Sequence, residues 1–336
     1  MRVTRRKDER GAVAVIAAIL ALLLFAFSAY ALDSGNLWQT RRNMVTASDA
    51  AALGAAEHYA LGTDGCAASV ASSLLTANRS DAQLDDCEPS GTSTVHGYVS
   101  VKGHANVSFT FAGMFGMSNK DVSSTTTAEW GIPSGAIGLR PIALCDKATP
   151  LLKQWLNLPA GPTGPTTTPI TITLSNAQPD PCTDSGGNAA GNWGLVFGDG
   201  NNATSDIVDW LLNGYGTEVS VGDDAHANPG AFSGSVENAL ATLRDNQTWF
   251  PLPVFDRVDG SAGGNNAQYH VIAFVFVQLV AYDVSGTQAT RYIEINLDRG
   301  IIQGPCCGTG PDTGTRVVRI CDVDTLQPNT SDPRAC

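Results

Sequence analysis

Residues 12–32 form an unbroken run without a charged side chain, and no other stretch constrains this chain as strongly. At about 1.5 Å per helical residue, such a run crosses a hydrocarbon core roughly 30 Å thick. Ala12, Val15, Ile19, Leu22, Phe25 and Leu32 are the expected membrane-anchor residues. Arg2, Arg5, Arg6, Lys7 and Arg10 precede the run and Asp33 follows it. Cationic side chains are retained on the cytoplasmic side, so this asymmetry predicts a single-pass helix with a cytoplasmic N-terminus and an extracytoplasmic bulk. Arg41 and Arg42 lie beyond the run and weaken the bias without inverting it. A cleaved signal peptide is the alternative, with Ala29-Tyr30-Ala31 as a small-x-small cleavage site. Signal-peptide cores usually span about 7–15 residues, and helical patterning here continues past the cleavage site, which favours a retained anchor. The later apolar stretch 271–281 is too short to span as a helix and predicts a buried strand.

The chain has 336 residues, enough for a sizeable core and about two domains. Its formal net charge of -12 argues against nucleic acid as a partner, because phosphate binding needs clustered Lys and Arg. Eight cysteines occur, Cys66, Cys87, Cys145, Cys182, Cys306, Cys307, Cys321 and Cys336, with no CxxC pair. An even count in an exported chain predicts disulfides rather than a zinc or thioredoxin-type site. The expected pairs are Cys66 with Cys87, Cys145 with Cys182, and two bridges within the C-terminal group. Adjacent Cys306 and Cys307 are expected to bridge elsewhere, since neighbouring residues rarely meet the required geometry.

Beyond Asp33, apolar residues recur at three- and four-residue steps through Leu37, Trp38, Met44, Val45, Ala47, Ala51, Ala52, Leu53, Ala55 and Ala56. The anchor is therefore predicted to continue outward as one amphipathic helix to about residue 60, where Gly62, Asp64 and Gly65 end it. A second helix is expected over 67–77. The fold class is α+β: a long N-terminal transmembrane and amphipathic helix followed by strand-rich exported structure. The expected division is 1–10 basic and cytoplasmic, 11–32 anchor, 33–130 helix plus a small β unit, 131–300 a strand-rich domain, and 301–336 a Cys-rich end. Within the large domain, alternation predicts an edge strand over 168–174. Ser205 ahead of 206–212 predicts a capped helix, and another helix is expected over 236–243. Strands over 269–282 and 291–297 read as a hairpin, with a last strand over 317–323.

Certain motifs carry a family resemblance. Asp8-Glu9-Arg10-Gly11-Ala12-Val13-Ala14-Val15, Asp33-x-Gly35-Asn36-Leu37, Arg41-Arg42 and Ala47-Ser48-Asp49-Ala50-Ala51-Ala52-Leu53 resemble the TadE/TadG-like N-terminal domain of the Flp (tight adherence, Tad) pilus assembly system. The motif positions are Arg10, Gly11, Asp33, Gly35, Arg41, Asp49 and Leu53. The block Val99-x-Val101, Ala105-x-Val107-x-Phe109-x-Phe111-Ala112, Phe115-Gly116-Met117, Val122 and Thr127-Ala128 resembles the region that follows in such proteins. From Trp130 on, Asn192-Trp193-Gly194-Leu195, Val208-Asp209-Trp210, Asn213-Gly214-Tyr215 and Pro253-Val254-Phe255-Asp256 are similar to TadG-like proteins of actinobacterial type. The resemblance implies a structural or assembly protein whose partners are the lipid bilayer and other Tad proteins met through the N-terminal helix. Small residues Gly11, Ala12, Ala14, Ala17, Ala18 and Ala21 would permit close helix approach in lipid. Type IV prepilins carry a Glu five residues into the mature helix, and Ala12-Val13-Ala14-Val15-Ile16 has none, so a polymerising pilin is not implied. The Asp-x-Ser-x-Ser metal motif of von Willebrand A domains is also missing.

Sites for chemistry are sparse. Asp184-Ser185-Gly186-Gly187 matches a trypsin-like nucleophile segment, but no Ala-Ala-His-Cys precedes it. His58, His96, His104, His226 and His270 show no His-x-x-x-His spacing, although His96 and His104 could face each other across a hairpin. Asp199-Gly200-Asn201-Asn202 and Asp223-Asp224 offer oxygens suited to calcium. The EF-hand count from Asp199 nevertheless ends on Trp210, and turn residues serving their own backbone explain both loops. No catalytic residue, cofactor or metal is assigned. The alternative function is a surface adhesin or ligand-binding module using Trp193, Trp210 and Trp249. A secreted hydrolase is the weakest class.

Overall fold

The computed structural model describes residues 10–62, 68–90, 95–116, 118–158, 164–174, 182, 193–198, 203–228, 232–260, 267–287, 290–308 and 310–321. The fold is α+β, with one long N-terminal apolar helix followed by strand-rich structure. Two compact units divide the chain: Met1–Gly54, Ala67–Glu88 and Ser100–Thr127 form one, and Ala55–Cys66, Pro89–Val99 and Ala128–Cys336 the other.

Helix α1 (Arg10–Ala60) is continuous over 51 residues, about 77 Å at the α-helical rise. Gly35 sits within it at an isolated cost of about 0.5–1 kcal/mol relative to Ala, too little to break a helix this long. It ends at Gly62, whose φ of 77° lets its N–H turn back to the Tyr59 carbonyl at 2.8 Å. In the first unit α1 buries Met44, Ala47, Ser48, Ala51 and Ala52, a stripe at the 3.6-residue period. Helix α2 (Ala68–Asn78) buries Ala71 and Leu75. Strands β1 (Gln83–Ser90), β2 (Gly97–Ser108) and β3 (Asn119–Gly131) lie in the order β1-β2-β3. Along β2, Val101, Ala105 and Val107 point inward while Lys102, Asn106 and Ser108 face water. The β2–β3 connection closes with Phe109 N–H donating to Ser118 O at 3.0 Å. It contains a 3-10 turn over Ala112–Phe115 that ends on Gly116, at φ 86°.

The second unit continues with β4 (Gly135–Ala136), β5 (Ile142–Cys145), α3 (Pro150–Leu156), β6 (Ile170–Thr173), β7 (Trp193–Leu195), α4 (Thr204–Asn213), β8 (Val219–Ser220), β9 (Asp224–His226), α5 (Gly234–Asp245), β10 (Trp249–Asp259), β11 (Gln268–Asp283), β12 (Tyr292–Asp298), β13 (Gly300–Ile301) and β14 (Thr315–Ile320). A sheet runs β6-β12-β11-β10-β5-β7, with β9 also paired to β11. Strand β11 lies inside this sheet and buries the face carrying Val271, Ala273, Val275, Val277 and Leu279, while on its other face Phe274 is buried and Ile272 and Phe276 are half-buried. Its antiparallel partner β12 follows through the predicted hairpin, and β6 forms the edge as predicted. Strand β14 pairs antiparallel with the last residues of β3 and parallel with β13. Helices α4 and α5 bury Ile207, Leu211, Val236, Leu240 and Leu243 in the same core.

Some elements differ from expectation. Ser205 does not cap α4; the helix starts at Thr204, and Asp206 accepts the Ala203 N–H at 3.2 Å. Strand β10 contains Pro251 and Pro253 yet pairs with β11 along its length. Its odd-numbered residues turn their carbonyls away from β11, Pro251 O accepting from Arg140 N and Phe255 O from Asp146 N. The imino nitrogens therefore face the side on which β5 pairs only at Val254 and Phe255, and no ladder donor is lost. Helix α3 was also not predicted, although Thr149-Pro150 is a start signal. The Thr149 side chain accepts from Leu152 N, and Pro150 occupies the first helical turn.

Gly214 ends α4 at φ 90°, and a Cβ there would lie 2.5 Å from the Gly138 carbonyl oxygen. Because that neighbour is backbone, Gly214→Ala should cost about 2–4 kcal/mol, from strain and overpacking together. A lower denaturant midpoint for the detergent-solubilised chain would show it; an unchanged midpoint would contradict this account of the turn.

Candidate membrane and assembly interface

The apolar segment of α1 is exposed on every side. Leu22 is 73% exposed and Phe25 77%, and Val15, Ile19 and Leu32 are exposed as well. A helix apolar all round and covered by none of the described residues is suited to lipid rather than water. This is the single helix among the described residues long and apolar enough to cross a membrane. Arg10, Gly11 and Ala12 belong to the same helix, and their side chains lie outside the described residues.

Asp33 marks where this segment ends. Its carboxylate accepts the backbone N–H groups of Thr110 at 2.9 Å, Phe111 at 3.1 Å and Ala112 at 2.6 Å. These amides lead into the 3-10 turn, so the carboxylate caps that turn from the side of α1. The Ala112 amide, foremost, holds the Asp33 carboxyl below the usual carboxylate range; partial burial opposes it, and the Thr110 and Phe111 amides add to it. The charged form is thus favoured on folding. The resulting stability is complete above the ordinary carboxylate pKa of about 3.9 and is lost as pH falls through the lower folded value. Protection of the Thr110–Ala112 amides against exchange, taken relative to the intrinsic exchange rate at each pH, should fall on acidification in the native chain, and Asp33→Asn should flatten that pH response. An equal acid response in both chains would rule out Asp33 as the cause.

The other motif positions are spread along α1. Asp49 accepts from the Thr126 hydroxyl at 2.8 Å. Gly35 is exposed with open space around it, Arg41 is exposed, and Leu53 is half-buried. Residues 11–58 match the family model Tad, described as putative Flp pilus-assembly TadE/G-like. This segment is a Tad domain. No curated protein and no solved structure matches the chain. Asp33 and Asp49 therefore both lie within the Tad domain, and each ties the helix to the β2–β3 hairpin of its own unit.

Outside the Tad domain, several titratable groups form structural pairs. His96 and His104 do not face each other across a hairpin. One precedes β2 and the other lies in it, with His96 Nε2 3.0 Å from Glu129 Oε1 and His104 Nδ1 2.5 Å from Asp85 Oδ1. Glu129, nearly buried, also accepts from Arg319 Nε at 2.8 Å. The Cys307 sulfur is 3.4 Å from the same carboxylate, but it is bonded to Cys306 and has no thiolate to offer a metal. The Cys145, Asp146 and Cys182 group is likewise built on the Cys145–Cys182 disulfide.

The Cys306–Cys307 bond departs from the sequence expectation that these sulfurs pair elsewhere. Gly131 makes room for it: a Cβ at that position would overlap the Cys307 sulfur. Cys87 and Cys321 are disulfide-bonded, while Cys66 and Cys336 lie outside the described residues. So do Asp184-Ser185-Gly186-Gly187 and Asp199-Gly200-Asn201-Asn202. Asp223 accepts from Ser220 N at 2.7 Å, serving its own turn.

A cleft of about 290 Å³ opens beside α3, between Leu151, Trp155, Pro165, Thr168 and Ile170; none of its described lining residues is titratable. Trp193 is core, while Trp210 packs edge-on against Tyr215 and Trp249 stacks on Phe276. Sequence reasoning missed Thr110, Phe111 and Ala112 as partners of Asp33. The Asp-x-Gly motif drew attention to the acid, but backbone amides leave no residue-type signal.

Proposed function

We propose that the chain is a structural or assembly component of a Tad/Flp-type pilus or cell-envelope machinery, held by one transmembrane helix with its N-terminus cytoplasmic and its bulk outside. The observation that carries this reading is the coincidence of the Tad domain with the helix that is apolar and exposed all round. The basic residues before the run support the orientation. The exported portion is read as TadG-like of actinobacterial type, contacting pilus components or the envelope, and as non-enzymatic. Partners of the same assembly would meet the helix on its small residues, Ala14 and Ala18 among them. The adhesin alternative loses support because its tryptophan candidates pack against neighbouring aromatic rings or lie in the core.

Deleting the gene in its host tests the reading. Pili and surface adherence should be lost and should return with the full chain, whereas complementation with Ala14→Leu/Ala18→Leu should restore them less well and reduce in-membrane crosslinking. Unchanged piliation after deletion would overturn the proposal.

A further inference from the structure

The Asp33 clamp fixes the β2–β3 turn next to a particular point on α1, namely the point where the apolar segment ends. The sequence of that turn is unusual for a loop facing water. No Asp, Glu, Lys or Arg occurs from Ala105 to Asn119, and Phe109, Phe111, Met114 and Phe115 fall within it. Gly113 is exposed at its tip. On α1 itself Trp38 is 64% exposed, about 7 Å beyond Asp33 at the helical rise, with exposed Arg41 and Arg42 following. The headgroup layer outside a hydrocarbon core is roughly 5–8 Å deep, which is the depth at which tryptophan rings collect.

We propose that the turn over 109–116 is a second membrane contact, lying in the bilayer interface beside the point where α1 leaves the lipid. This rests on the reading of α1 as a membrane anchor. The partner is the lipid surface: an uncharged, aromatic turn is tethered to the end of the spanning segment, where the bilayer interface must be. Asp33 is the positioning residue, since the backbone hydrogen bonds it accepts hold the turn at that level. A second point of attachment restricts how the first unit tilts and rotates about a single helix.

The hairpin supplies its own ruler. Thr126 bonds Asp49, about 24 Å further along α1 than Asp33, so exposed Thr125 marks a level well outside the lipid. The full chain in nanodiscs would carry an environment-sensitive fluorescent amino acid at Phe25, at Gly113 or at Thr125. Gly113 accepts the label because nothing lies within 4 Å of a Cβ built there. Nitroxide lipids labelled at deep or shallow acyl positions serve as quenchers. Phe25 should be quenched most by the deep label, Gly113 by the shallow one with a blue-shifted emission, and Thr125 by neither. A quenched Phe25 beside an unquenched Gly113 would leave the anchor standing and overturn the second contact. An unquenched Phe25 would overturn the anchor itself and this proposal with it.

Discussion

Arginine at both Leu22 and Phe25 is expected to abolish integration of this chain into membranes. The two positions lie in the middle of the apolar segment and are 73% and 77% exposed, so the substitutions disturb no packing within the chain. An arginine near the centre of a spanning helix costs about 2.5–3.5 kcal/mol on insertion scales. The exposed Val, Ile, Leu and Phe residues of the segment, Val13 to Leu32, each contribute roughly 0.3–0.6 kcal/mol in favour of insertion. Two arginines therefore outweigh nearly the whole apolar run. Alkaline carbonate extraction should release the double variant and retain the native chain. Val45→Arg serves as control, being exposed on the part of α1 that follows the apolar segment, and should stay membrane-bound. A double variant that resists extraction would remove α1 as the anchor.

The second large effect is expected deep in the second unit, at Arg316. Its side chain is 2% exposed, and its Nη2 is 2.7 Å from Asp312 Oδ1, itself only 13% exposed. Burial pulls the guanidinium pKa down, while the Asp312 carboxylate raises it. Removing one partner of an ion pair this far from water typically costs about 3–5 kcal/mol. Arg316→Met and Asp312→Asn should each destabilise the chain on that scale in denaturant unfolding. The double variant should recover much of the loss, because a buried pair replaced on both sides is often close to neutral. Additive losses would show that the ion pair is not what couples the two positions.

The long elements were legible in the sequence because their signals are local. The apolar N-terminal helix, its continuation to Ala60 and its stop at Gly62 follow from apolar period and glycine geometry within a single element. Strand β11 was legible as an apolar run too short for a membrane helix and bounded by turn residues. Strand β10 was not, since Pro251 and Pro253 argue against a strand until the direction of each carbonyl is known. The short α3 was announced by Thr149-Pro150 but has too few residues for a period to show.

What the sequence determined by itself was the long apolar N-terminal segment, the Tad-type pattern around it and the α+β class, each carried by residues close together in the chain. Tertiary structure alone decided the long-range partners: the amides of Thr110, Phe111 and Ala112 around Asp33, the Thr126 hydroxyl on Asp49, and the Arg319–Glu129 pair. It also decided that Cys306 bonds Cys307, because the space left by Gly131 is set by strand packing and not by neighbouring residues in the chain. A backbone N–H is identical in nearly every residue, so which one a carboxylate meets depends only on where the chain brings it.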